Sequence, residues 1–548
     1  MTPRTFLRLL AIWAGALSLC SLLIFCTVRI DRARPATGPY LVSFWERGTR
    51  SARKVVANEQ ELALALEGEV ARGTQRIVEQ IVDSAPVFSR SWLILGFSLV
   101  PAQDGLSASY QGRTAYASPD DLLKLEAYEF TIPWGSASLI LGIDVNKVLG
   151  ALARELGTEP NELLRRGSFR RFAVVSSAAY PKKVSAADVT TKVLKDSIIS
   201  AARYLGRNQR RDGSFRYEIN ALTAADSPAY NYPRHAGATY FLARVGNQLH
   251  DAAILRAGQR AGAFLKDRTT LRCGAHACVG QGDQVDIGAS ALSLLAYVEL
   301  LAGGSEEYRA PALELAEFLR SQQRPDGEFQ HFYSIAEQRP IDIQVEYYTG
   351  EATFALARVQ RVSGDARDLE AARRALTFLV KRPAWYLGSR YFWGAEHWTC
   401  QALADLWQRA PDPSALKFCV DWQAANRVQQ LESPPSPVNY DGSISRGPFM
   451  APRLTPTASR LEAAVATLEA ARAAGLPAAQ IELLDQQVKR AFAFLLRYQF
   501  SPGPTHLMPN VRRLEGGFPG SPLDLHVRID YPQHAAGALL RYWELEQK

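Results

Sequence analysis

From about Thr190 onward, apolar residues recur at three- and four-residue spacing through a succession of stretches, the period of a helix face. The pattern predicts helices at about 190–208, 235–250, 252–267, 285–303, 306–323, 347–363, 366–381, 395–409, 413–429, 456–475, 479–499 and 530–546, which pair into six hairpins. Alternate helices begin with small residues, as in His235-Ala236-Gly237-Ala238, Gly288-Ala289-Ser290-Ala291, Gly350-Glu351-Ala352 and His534-Ala535-Ala536-Gly537. Small residues let helices crowd around an axis, while the intervening helices carry the longer charged faces of an outer layer. The punctuation also repeats. Asn208-Gln209-Arg210-Arg211-Asp212-Gly213-Ser214-Phe215 returns as Gln322-Gln323-Arg324-Pro325-Asp326-Gly327-Glu328-Phe329, with a looser copy at Gln499 and Glu515-Gly516-Gly517-Phe518. In each, a helix ends, a tight turn needs glycine, and an aromatic folds back.

Before Ala178 the periods are mixed. Tyr40 to Trp45, Trp92 to Val100, Leu106 to Tyr110, Arg113 to Ala117 and Arg170 to Val175 read as strands, and Glu59 to Val82 and Val145 to Leu156 as helices. Gln103-Asp104-Gly105 reads as a turn, and Ser118-Pro119-Asp120-Asp121 as the capped start of a short helix. These pieces predict an α+β domain over 40–180, followed by a toroid over 181–548.

Leu9 to Val28 is apolar except for hydroxyls, and about 20 helical residues span the roughly 30 Å of a bilayer core. With eight residues before it and no clear cleavage site, the segment is expected to be an uncleaved anchor, with 1–39 serving as anchor and linker. The expectation is a single pass through a bacterial inner membrane with a periplasmic body, although the arginines on the two sides do not decide orientation. The fold class expected is thus mainly α, an (α/α)6 toroid preceded by a small α+β domain and one N-terminal transmembrane helix.

The 63 basic and 55 acidic residues leave a formal charge of +8, and no basic run is interleaved with aromatics, which argues against a nucleic-acid partner. Of six cysteines, Cys273, Cys278, Cys400 and Cys419 lie outside the apolar segment. Cys273-Gly-Ala-His-Ala-Cys278 lacks a visible fourth zinc ligand, so a local disulfide or free thiols are expected, with no metal and no cofactor.

Polar residues bunch at the starts of the small-residue helices: Arg234-His235, Asp286, Glu346-Tyr347-Tyr348 with Glu351, Glu396-His397-Trp398, Ser459-Arg460 with Glu462, and Asp530-Tyr531 with His534. In a closed ring these starts share one mouth, where unpaired N–H groups favour anions and polar sugars. Capping explains Asp286, Glu346 or Asp530 taken singly, and a lone histidine on a small-residue face is commonly a core residue. Neither explains aromatics and arginines in the same places. Glu346, Glu351, Glu396 and Asp530 offer the acid and carboxylate of glycoside hydrolysis. His235, His397 and His534 with Tyr348 or Tyr531 offer the base of elimination or epimerisation, next to Arg234, Arg460 or Arg528. Arg234, Trp398, Arg460, Arg528 and Asp286 are the candidate substrate-binding residues.

Six such hairpins resemble the (α/α)6 toroid superfamily of six-hairpin glycosidases, polysaccharide lyases and sugar epimerases. That resemblance implies an enzyme acting on a polysaccharide or glycoconjugate by hydrolysis, elimination or epimerisation, here membrane-anchored and extracytoplasmic. The Gln-x-x-Asp-Gly-x-Phe punctuation also resembles terpenoid cyclases and protein prenyltransferases, but the Asp-x-Asp-Asp acid of squalene-type cyclases is missing. A non-catalytic, tethered glycan- or protein-binding scaffold is the alternative from another class. The order of pieces over 40–180 resembles the AMMECR-type domain, without that family's cysteine-containing glycine turn after Arg50.

Overall fold

The computed structural model describes residues 39–547 except 69, 88–94, 96–97, 102, 129, 135–136, 179, 382–396, 433–439, 445–451 and 502–504. Contacts divide the chain into two compact units that meet at Ala178 and Ala179.

The first unit holds β1 (Tyr40–Glu46), β2 (Thr49–Val56), α1 (Glu59–Leu66), β3 (Thr74–Pro86), β4 (Asp104–Tyr110), β5 (Arg113–Ala117), α2 (Pro119–Lys124), a β6–β7 hairpin (Phe130–Trp134, Ala137–Gly142), α3 (Val145–Leu156), α4 (Pro160–Arg166) and β8 (Ser168–Ser176). Six strands form an antiparallel sheet in the order β2-β1-β3-β8-β4-β5. The helix expected over Glu59 to Val82 stops at Leu66, and the rest is mostly the central strand β3. Ile77, Glu79 and Ile81 alternate inward there, and the buried carboxyl of Glu79 among apolar neighbours hides the strand period. Most of the strand expected over Trp92 to Val100 lies outside the described residues.

The second unit contains twelve long helices among the described residues. They are α5 (Thr191–Arg207), α6 (Tyr232–Gln248), α7 (Ala252–Thr269), α8 (Ile287–Ala302), α9 (Arg309–Ser321), α10 (Tyr348–Ser363), α11 (Ala366–Lys381), α12 (His397–Leu406), α13 (Pro413–Val428), α14 (Leu454–Ala473), α15 (Ala478–Tyr498) and α16 (Asp530–Leu545). Helices α6, α8, α10, α12, α14 and α16 each pack on the next, and α16 returns to α6, so the inner ring closes. The outer helices α7, α9, α11, α13 and α15 each cover the inner helix they follow, while α5 covers α16. Burial follows this division: α8 is buried continuously from Ile287 to Leu301, whereas α9 buries only one stripe.

The repeated glutamine motif stitches the outer layer. Gln323, just after α9, donates from Nε2 to the carbonyls of Gly327 (3.3 Å) and of Ala371 on α11 (2.8 Å). Gln209 joins Gly213 to Ala257 on α7 in the same way, Gln430 joins Gly442 to Gln487 on α15, and Gln499 joins Gly516 to Ser197 on α5. Gly327 needs its missing side chain, because its φ is +97° and a Cβ would lie 2.5 Å from the Arg374 carbonyl oxygen. The copy at Gln430 and Asp441-Gly442 escapes the sequence pattern; its glycine is followed two residues later by Ile444, where the other copies have phenylalanine.

The ends of the inner helices away from their first turns meet in a layer of buried charges. Arg358 on α10 bonds Glu299 on α8 (2.6 Å) and Asp405 on α12 (2.5 Å). Arg541 on α16 bonds the same Asp405 (3.1 Å) and Glu469 on α14 (2.9 Å), and Arg244 on α6 pairs with Glu544. Every inner helix contributes a charge, so each finds a partner without water. Disulfides join Cys273 to Cys278 across the β9–β10 hairpin (Thr270–Cys273, His276–Val279) and Cys400 on α12 to Cys419 on α13.

The anchor needs correction. The segment Leu9 to Val28 lies outside the described residues, and among those described no helix is long and apolar enough to cross a membrane. Helix α8 is apolar but has 16 residues, about 24 Å, and the longer α15 carries Glu482, Asp485, Lys489 and Arg490. Among the described residues nothing therefore supports the transmembrane helix in the expected fold class, nor the membrane partner, the single-pass inner-membrane placement and the periplasmic body that were drawn from it. The architecture seen is a helical toroid with a separate α+β unit.

Candidate active site

Side chains from the N-terminal halves of the inner helices touch one another in ring order. Asp286, the N-cap of α8, accepts a bond from the Ala289 N–H at 2.7 Å and another from the Tyr348 hydroxyl of α10. One turn along α10, Glu351 accepts a bond from the indole of Trp398 on α12. A Cβ on Gly288 would lie 2.5 Å from both Glu351 Oε2 and the Tyr348 ring, so this small residue on α8 makes room for its neighbour's acid. His397, beside Trp398, holds Nε2 4.0 Å from Glu462 Oε2 on α14. His534 of α16 bonds the same oxygen through Nδ1 at 2.8 Å. Asp530, at the start of α16, is chelated by Arg528 through Nε (2.6 Å) and Nη2 (2.9 Å), and meets Arg234 Nε of α6 at 3.3 Å. Arg234 also donates to the Tyr217 hydroxyl, and the Tyr531 ring lies 4.7 Å beneath Arg528.

The electrostatics separate these acids. Burial, reinforced by the nearby Asp286, pushes Glu351 well above the usual carboxylate range. Its Oε2 is buried with no hydrogen-bond partner. Asp286 is also raised, chiefly by burial. Burial works on Asp530 too, but the bonds and charge of Arg528, then Arg234, outweigh it and hold this carboxyl below its ordinary value. In the Glu462–His534 pair, burial raises the carboxyl, while the carboxylate's attraction outweighs burial and raises the imidazole.

Other expected site residues sit elsewhere. His235 is enclosed by Phe215, Tyr230 and Phe264, its Nδ1 bonded to the Tyr230 hydroxyl (2.6 Å) and Nε2 to the Ala261 carbonyl (3.0 Å), and burial lowers its pKa to about 4. Arg460 is buried and donates to the Ile444 carbonyl at 3.2 Å. Glu346 lies in the half-buried turn before α10, and Glu396 lies outside the described residues. Two partners had no assigned role. Glu462 is one more acid at a helix start until His534, distant in sequence, is folded against it; Tyr217 precedes α6 and carries no motif.

The arrangement provides a histidine oriented by a carboxylate, the usual form of a general base, with a second imidazole whose ring centroid is 5.7 Å away. The Trp398 ring is buried 6.1 Å from His534 and stacked on Phe354. His397, Glu462 and His534 also present donor atoms within 4.8 Å of one another, a nitrogen and oxygen set of the kind that binds zinc. The 2.8 Å contact between His534 and Glu462 is, however, the distance of a pair sharing a proton.

No protein family and no curated protein matches the chain, so the AMMECR-type resemblance gains no support. Solved structures do match. A D-mannose isomerase is 13% identical, with a TM-score of 0.50 over 65% of this chain and 98% of that one. The cellobiose 2-epimerase of Bacillus thermoamylovorans B4167 is 11% identical, with a TM-score of 0.52 over 65% of this chain and 99% of that one. At such identities the likeness is one of fold: the chain contains a six-hairpin helical toroid.

Proposed function

We propose that the toroid is a carbohydrate-active enzyme that moves a proton at a carbon of a sugar, epimerising or eliminating within a polysaccharide or glycoconjugate. The observation that carries this reading is the convergence of His397 and His534 on Glu462, side chains of three successive inner helices. One imidazole, oriented by Glu462, removes a proton; the other returns one from a second direction. The orphaned Glu351 Oε2 takes a bond from a sugar hydroxyl. Asp530 is held by two arginines and serves to position them. The two solved toroids named above are, by their names, a sugar isomerase and a sugar epimerase, which accords with this chemistry.

The test is isotope exchange. The full chain, incubated in heavy water with a panel of neutral and acidic oligosaccharides, should place deuterium on a ring carbon of at least one, and His534→Asn should abolish that exchange. Exchange unchanged in His534→Asn would sink the proposal. One observation favours hydrolysis as a second reading: Glu351, its carboxyl pushed up by burial, stands next to a second acid, Asp286. It requires new reducing ends that disappear in Glu351→Gln, with no deuterium on carbon.

A further inference from the structure

The guanidiniums at the mouth outnumber the carboxylate they share. Asp530 has both oxygens chelated by Arg528, which neutralises it. Arg234 reaches only the edge of that carboxylate, by Nε at 3.3 Å, and spends one further N–H on the neutral Tyr217 hydroxyl. Its other N–H groups have no partner among the described residues, and the side chain is 38% exposed at the first turn of α6. The neighbouring acids are otherwise engaged: Glu462 bonds His534, and Glu351 accepts a bond from the Trp398 indole. A fixed cation thus faces the mouth, close enough to His534 to act on its charge.

We propose that the sugar taken by this mouth is a uronic acid, with its carboxylate seated on the Arg234 guanidinium. This rests on the proton-transfer reading and deepens it. A carboxylate paired with a guanidinium has less charge to repel the electrons of a departing carbon–hydrogen bond, so the proton on the adjoining ring carbon, C5, becomes removable without ring opening. One imidazole takes the C5 proton and the bond's electron pair moves into the carboxylate. If the other imidazolium returns a proton to the opposite face, C5 is inverted. If the electron pair instead expels the oxygen substituent on C4, which takes a proton from an imidazolium, the products are an alcohol and a 4,5-unsaturated uronate. No oxidant, reductant or co-reactant is needed.

The experiment uses the full chain and matched disaccharides of glucuronic, mannuronic and galacturonic acid, each beside its carboxyl-reduced neutral counterpart. Binding is measured by calorimetry and deuterium exchange at C5 by nuclear magnetic resonance. Wild type should prefer one uronate over its neutral twin by about tenfold or more, the scale of one charge-assisted pair. Arg234→Gln should reduce that preference to about twofold or less with an unchanged melting temperature, and Arg234→Lys should restore part of it. Equal binding of the twins, or a preference that survives Arg234→Gln, overturns the proposal. Exchange into neutral sugars only overturns the carboxylate seat while leaving the proton-transfer reading standing. Neither binding nor exchange with any sugar removes both.

Discussion

Replacing Asp405 by asparagine keeps the shape of the side chain but leaves the closed end of the ring one negative charge short. Asp405 accepts two bonds from Arg358 (2.5 and 3.3 Å) and one from Arg541 (3.1 Å), and Arg361 adds a contact at 3.3 Å. Arg358 and Arg541 are both buried, and after the change each has only one carboxylate left, Glu299 and Glu469 respectively. Removing one partner from a buried ionic cluster costs about 3–5 kcal/mol, because the surviving charges cannot be hydrated. A unit of about 370 residues unfolds with an entropy of roughly 0.8 kcal/mol/K, so the melting temperature should fall by about 4–6 °C. The pH dependence adds a second constraint. Burial pushes the Asp405 carboxyl up, but Arg358, Arg361, Arg541 and Arg244 outweigh it and hold it far below its ordinary value. A carboxyl depressed on folding contributes stability that is complete above its unfolded pKa, about 3.9, and fades as pH falls through the folded value. The gap between wild type and Asp405→Asn, read by calorimetry, should therefore stay constant from pH 8 to about 5 and close only below about 4. A shift under about 1 °C, or a gap that closes between pH 7 and 5, would refute the argument.

His235→Asn should destabilise the toroid while leaving deuterium exchange into substrate detectable, because both ring nitrogens bond inside the wall; complete loss of exchange in a folded variant would return His235 to the mouth. The same imidazole stays neutral in the folded chain down to about pH 4, whereas an unfolded one protonates near 6.5, so the unfolded state binds the extra proton. Stability should accordingly drop by up to about 3 kcal/mol as pH falls through that window, and denaturant titrations of His235→Asn should show a shallower fall. Gln323→Ala removes two bonds that join α9 to α11 and should cost about 1–3 kcal/mol, with Gly327→Ala costing more through its +97° φ and the Arg374 carbonyl; equal melting temperatures for these variants and wild type would contradict the stitching role. Reducing Cys400–Cys419 should lower stability by about 2–4 kcal/mol, measured by calorimetry with and without a phosphine reductant and compared with Cys400→Ser.

The sequence made the helices legible because each element carries its own period. The contrast between Gly288-Ala289-Ser290-Ala291, buried all round, and the one-sided α9 shows which layer a helix joins. What it could not show depends on pairing across the ring. Glu462 and His534 meet only because α14 and α16 are neighbours, and Asp405 gains its meaning only when Arg358 approaches from the adjacent α10 and Arg541 from α16. Polar residues within the inner helices, such as Arg244 and Glu299, look like flaws in an apolar pattern until each is seen to answer another. The same limit explains His235, which shares a helix start with Arg234 yet turns outward into the wall of Phe215 and Phe264. Glu79 misled in the opposite direction: one buried carboxyl was enough to disguise a central strand.

The first and last helices of the toroid, α5 and α16, lie against each other, and α16 brings Asp530 and His534 with it. A ribosome therefore delivers five-sixths of the inner ring before its seam is fastened, and His534 arrives with the seam. Until those final turns dock, Glu462 has no imidazole to share a proton with and Arg541 has not reached Asp405. Closure of the ring and the pairing of Glu462 with His534 are one event, so a chain cut short before Asp530 would lack both.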